Sequence, residues 1–131
     1  MNTRDNIILQ LRGNSLGTLT PQTSAEEFFQ NETLRPILKL QNELLLLVFQ
    51  NYISKNKILF EQFSPEKKLF FIENSIQKDI KLRNSLKGIV IGFFTLEEYN
   101  RYVNNSSTLN KRMMNLIIER LKSQVQLLVV I

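Results

Sequence analysis

Apolar and polar positions alternate with a helical period along most of the chain. "ILKLQNELLLLVFQNYI" places Ile37, Leu40, Leu44, Leu47, Val48 and Tyr52 on one stripe, and Leu45, Leu46 and Phe49 widen it almost all round. A helix apolar on most sides belongs at the centre of a fold. In "SPEKKLFFIENSIQKDIKL", Leu69, Ile72, Ile76 and Ile80 recur at spacings of three, four and four, with Lys67, Lys68, Lys78 and Lys81 on the wetter sides. This is the period of an amphipathic helix. "LNKRMMNLIIERLKSQVQLL" repeats it through Leu109, Met113, Ile117, Leu121 and Leu128.

Start and stop signals divide these runs. Ser24 with Glu27, and Thr95 with Glu98, have the spacing of capping boxes, and Ser64-Pro65-Glu66 is an N-cap followed by proline in the first turn. Pro36 disfavours helical backbone at Arg35, which predicts a break over Thr33 to Arg35 and a new helix running to about Lys55. Residues 3–12 form a short helix with Ile7, Ile8 and Leu11 on one face and Gly13 as its stop. Gly13 to Thr23 is a loop. The chain therefore divides into an N-terminal arm, 1–23, and a helical domain, 24–131. The fold class is all-α, a single-domain bundle of five to six helices around the central apolar helix Pro36 to Lys55.

The stretch "LKGIVIGFFTLEEY" admits three readings. Its β-branched and aromatic content suits a strand, yet only the C-terminal "VQLLVVI" alternates well enough to pair with it, and two strands alone are marginal. A phosphate loop needs further glycines or a Lys-Ser/Thr pair, whereas Phe93 and Phe94 follow Gly92. A helix fits best, with Leu82, Leu86, Ile89, Val90 and Phe93 as its apolar stripe, a kink over Arg83 to Ser85 and an end near Phe94. Gly88 and Gly92 then lie one turn apart, each costing about 1 kcal/mol relative to alanine. Close approach would offset that cost, against the Leu44 to Phe49 helix, a second chain or a ligand.

Composition narrows the chemistry. At 131 residues, with 43% hydrophobic and 22% charged residues, the chain is long enough to bury a core without staples and fits neither the disordered nor the membrane class. It has no cysteine and no histidine, which removes thiol nucleophiles, disulfides, Cys/His zinc sites and His-based acid–base catalysis. The acidic residues have no calcium-loop spacing, so no metal and no cofactor are assigned. No leader is read at the N-terminus, and the densest apolar run, Leu44 to Phe49, is far short of a span of roughly 20 residues. The expected address is the cytoplasm, away from the membrane.

The net charge of +5 is uneven: residues 1–63 carry 6 basic against 6 acidic residues, and 64–131 carry 11 against 6. Such an excess suits an acidic partner or nucleic acid, with Lys78, Lys81, Lys87, Lys111 and Arg112 as the contact residues. Helix, turn and helix over 96–122 would present "LNKRMMN" as a recognition face, although Leu109, Met113 and Ile117 read as core. The same composition, rich in Asn, Lys and Ile with one alanine, also fits an AT-rich coding sequence. The paired phenylalanines do not interleave with basic residues as stacking platforms do. For catalysis, Glu73 beside the Leu69–Ile76 stripe is the carboxylate most exposed to burial, but no second group is assigned to it.

The stretches "TLRPILKLQNELLL", "SPEKKLFFIENSIQKDIKLRNSLKG" and "LNKRMMNLIIERLK" resemble a family of short uncharacterised bacterial proteins, some of which are labelled glyoxalase. The resemblance covers most of the chain and implies a small bacterial protein. Metal-dependent glyoxalases of the usual kind use βαβββ modules and His/Glu ligands. A helical chain without histidine departs from both, so neither activity nor ligands are transferred. The function expected is protein association without catalysis, as a homo-oligomer, specifically a dimer. The contact residues would be Gly88, Gly92 and Phe93, the N-terminal arm, or Leu128 and Val129 of the apolar C-terminus.

Overall fold

The computed structural model describes residues 2–13 and 23–128. Among these the chain is all helical, with no strand. Helix α1 is Thr3–Arg12. Helix α2 covers residues 25–40 as three continuous pieces: Ala25–Phe29, a π-helical turn Gln30–Leu34, and Arg35–Leu40. Then come α3 (Asn42–Lys55), α4 (Pro65–Lys78), α5 (Ile80–Ile91), α6 (Leu96–Val103) and α7 (Ser106–Ser123).

Most of these starts are written in short polar side chains. Asn2, Ser24, Ser64, Asp79 and Thr95 each accept a hydrogen bond from the amide three residues on, at the ends of α1, α2, α4, α5 and α6. Each satisfies one of the amides a helix start leaves unpaired, worth about 1 kcal/mol. The Thr95–Glu98 capping box is complete in both directions.

Two predicted interruptions are displaced. No break occurs at Thr33 to Arg35. The helix instead widens by one residue, the Arg35 amide reaching the Gln30 carbonyl, so that Pro36 is absorbed into a running helix and buried. The interruption comes at Gln41, splitting the predicted Pro36–Lys55 helix in two. The kink expected over Arg83 to Ser85 lies at Asp79, where the backbone turns extended. Ile80, read as the last member of the α4 stripe, is therefore exposed.

The core draws on every helix after the arm. Leu34, Ile37, Phe49, Ile53, Ile72, Ile76, Leu86, Val90, Met113 and Ile117 are wholly shielded from solvent, each such side chain stabilising the fold by about 1.5–3 kcal/mol. The helix at the centre is α7, which packs against α4, α5, α6 and the π-turn of α2. Its buried residues include Leu109, Met113, Met114, Ile117 and Leu121. Of the helix expected there, the α3 part buries Leu45, Leu46, Phe49 and Ile53, and the part now ending α2 buries Pro36, Ile37 and Leu38. Aromatic side chains fill the two ends: Phe49, Phe60, Phe63 and Phe71 meet largely edge to face at one, and Phe29, Phe94 and Tyr102 at the other.

Candidate interaction surface

The corner that holds Gly92 and Phe93 is built by two arginines from α1. Gly92 and the two residues after it carry α5 into α6, and all three carbonyls accept from the arm. Arg4 donates to the Gly92 oxygen at 3.1 Å and to the Phe94 oxygen at 2.9 Å, and Arg12 to the Phe93 oxygen at 3.3 Å. Positive charge here also suits the negative end of the α5 dipole. Asp5 accepts from the Leu96 amide at 3.1 Å, so the arm joins the start of α6 as well. The buried side of α1 is Asp5, Ile8 and Arg12. Ile7 and Leu11, predicted to share the inward face with Ile8, point outward.

Arg12 reaches further in. Its Nη1 and Nη2 donate to Glu98 Oε1 and Oε2 at 2.6 and 2.8 Å. Glu98 Oε1 also accepts from the Thr95 amide, and Oε2 from the Thr33 hydroxyl. Burial alone would raise the Glu98 carboxyl, but the Arg12, Thr33 and Thr95 hydrogen bonds and the Arg12 charge hold it below the usual carboxylate value. Arg12 Nη2 also donates to the Glu32 carbonyl at 3.0 Å. Glu32 stands four residues before Pro36, which has no N–H to give it.

The glycines have different settings. Gly88 lies on an exposed face of α5, and a methyl group built there meets no atom within 4 Å. It does not pack against the Leu44 to Phe49 segment, as the intramolecular reading predicted. Gly92 caps α5, its amide returning to the Gly88 carbonyl at 2.9 Å. A Cβ added at Gly92 would stand 3.2 Å from that oxygen, so its tight contact is with its own helix. Phe93 is half-buried against the core.

At the other end, Leu128 is only 2% exposed and belongs to the core; Val129 lies outside the described residues. The Gln50 amide donates to the Leu127 carbonyl at 2.7 Å, laying the C-terminal segment beside α3. There part of the sequence-predicted core stripe faces outward: Leu40, Leu44 and Leu47 are 39%, 43% and 61% exposed, whereas Ile37 is buried and Val48 and Tyr52 pack against the core. Hydrogen bonds from the Gln41 amide to Ile37 and from the Leu45 amide to Gln41 carry the helical path across the interruption. Leu44 and Leu47 stand three apart on one face of α3, and Leu40, four residues before Leu44, ends α2. The inward face of α3 is one residue on, through Leu45, Leu46 and Phe49, and periodicity alone cannot choose between faces when both are apolar.

The basic residues are distributed over three helices. Lys78 and Lys81 flank the Asp79 corner, exposed, and Lys87 is half-exposed on α5 beside Arg83. Lys111 faces out from α7, while Arg112 donates to Gln30 Oε1 at 3.0 Å. The stretch expected as a recognition face spends Leu109, Met113 and Met114 on the core. Glu73 pairs with Lys122 at 2.7 Å on the surface, its side chain 44% exposed; the carboxylates buried among the described residues are Asp5 and Glu98. Among the described residues no group of three or more Asp or Glu side chains is placed to hold a metal ion, and no helix is long and apolar enough to cross a membrane. Comparison with protein families, curated proteins and solved structures finds no match for the chain.

Proposed function

We propose that the protein is a self-associating module, a homodimer joined through the outward face of α3. The observation that carries this reading is the Leu40, Leu44 and Leu47 stripe: three leucines at helix-seam spacing, left half in water by a chain that had other apolar side chains to spend inside. Contiguous apolar surface of this kind marks a contact site. A second copy is the partner that fits. The face is bordered by Lys39 and Glu43, one charge of each sign, so two copies meet without net repulsion, and an isologous pairing sets leucine against leucine. Leu127, whose carbonyl is held by Gln50 of α3, is likewise exposed. The open Gly88 face offers no comparable apolar area.

A nucleic-acid role draws less support, because α7 is committed to the core and Arg112 is held by Gln30. A carboxylate enzyme has Glu73 in a surface ion pair as its only nominated group.

Absolute mass by light scattering after size exclusion tests the proposal. The expected result is a dimer at low and high salt, converted to a helical monomer by Leu44→Lys with Leu47→Lys. A wild-type monomer at both salts, or a dimer indifferent to the double substitution, overturns it.

A further inference from the structure

Arg35, on the second half of α2, and Arg120, near the end of α7, line one cavity of about 360 Å³ together with Ser123, Gln124 and Glu119. Neither guanidinium has a carboxylate within ion-pair distance among the described residues. Each is positioned by a neutral amide. Arg35 Nε donates to Asn31 Oδ1 at 3.0 Å, and Arg120 Nη1 to Asn42 Oδ1 at 3.3 Å. Asn42 is held in turn by Gln124, the two side-chain amides exchanging hydrogen bonds of 2.7 and 2.8 Å. The remaining donors of both guanidiniums have no protein acceptor among the described residues.

Two cations sharing a partly buried cavity are costly unless something negative joins them. Burial, and secondarily the charge of Arg35, push the Arg120 guanidinium below its ordinary value. Guanidinium forks match the oxygens of carboxylate and phosphate groups. The volume is at the small end of ligand-site sizes, and the Glu119 carboxylate at the same cavity reduces its net charge, which suits a compact anion more than a polymer backbone. We propose that this cavity is an oxyanion site, in which a small phosphate- or carboxylate-bearing molecule bridges Arg35 and Arg120.

The test is a titration of the wild-type protein with inorganic phosphate, followed by phosphorus NMR line broadening. Ionic strength is matched with chloride, because phosphate also strengthens burial nonspecifically. A parallel arm uses succinate as competitor to separate phosphate from carboxylate preference. Saturable binding of either anion is expected, weakened roughly tenfold or more by Arg35→Gln and by Arg120→Gln, since each removes charge-assisted hydrogen bonds. Without anion, Arg120→Gln is expected to melt at or above the wild-type temperature, because it removes a desolvated charge that faces another. Absence of saturable binding of both anions to the wild type up to roughly 10 mM overturns the proposal, whatever the variants do. Equal binding by wild type and both folded variants overturns it as well.

Discussion

Arg12 and Glu98, 86 residues apart, are joined by two hydrogen bonds that pair both Nη atoms with both carboxylate oxygens. Two further donors, the Thr33 hydroxyl and the Thr95 amide, complete the carboxylate. Glu98 therefore serves two elements at once: it closes the capping box of α6 and anchors α1. On the arginine side the fit is less complete, since Arg12 Nε is buried without an acceptor among the described residues.

Removing one partner of such a pair strands the other. Arg12→Met is expected to cost about 3–5 kcal/mol in urea unfolding, seen as a lower midpoint at unchanged slope. Adding Glu98→Gln removes the stranded charge, so the double variant should be more stable than Arg12→Met alone. A loss below about 1 kcal/mol for Arg12→Met would mean that the pair does not hold the arm.

The depressed Glu98 value fixes the sign of a pH effect. Its folded-state pKa lies below the ordinary 4.5, so its contribution is present above that value and is lost as pH falls through the folded pKa. Wild-type stability should fall as pH drops below about 4.5, and Glu98→Gln should flatten that part of the profile. Parallel profiles for the two proteins would remove Glu98 as the source.

At Gly88 a methyl group enters open space in a helical backbone. Gly88→Ala should raise stability by up to about 1 kcal/mol through the unfolded chain's lost freedom. Gly92→Ala meets the Gly88 carbonyl at 3.2 Å and should gain less or lose. Thermal melts of the two variants rank them; a destabilised Gly88→Ala would reveal a partner at that face.

If α3 forms a dimer seam, the melting temperature of the wild type rises with protein concentration by mass action. Leu47→Glu should abolish that dependence while changing dilute-limit stability by no more than roughly 0.5 kcal/mol, as for an exposed site.

Glu73→Gln should alter stability by less than about 1 kcal/mol, the ordinary worth of a surface ion pair such as Glu73–Lys122. Denaturant titration of this variant and of Lys122→Met should agree within that range.

The helical class, the caps at Ser24, Ser64 and Thr95 and the stripes of α4 and α7 were legible because each rests on contacts within one or two turns. The helical nature of "LKGIVIGFF" was legible for the same reason, and Leu82, Leu86 and Val90 do face the core. What local pattern could not decide was which of two apolar faces of α3 turns inward, since that depends on neighbours far along the chain. The same limit hid the destination of Arg12. Glu98 was visible as a cap residue, but its second partner comes from a helix that looked like a loose arm. Asp79 escaped as a helix start because the apolar period on either side of it masks the interruption. The Arg35–Arg120 pair gives no sequence signal at a separation that only the fold closes.

Pro36 gives the helix that contains it an unusual property. A residue without an N–H leaves the Glu32 carbonyl without a donor at that position, and Arg12 fills the gap from outside at 3.0 Å. The defect thereby becomes a receptor: α1 is recognised through a hydrogen bond that α2 is chemically unable to make with Pro36. Replacing the proline by any residue with an amide creates an internal competitor for that oxygen. A change at position 36 therefore reaches the arm through the Glu32 oxygen alone, whereas a change at position 12 also strands Glu98.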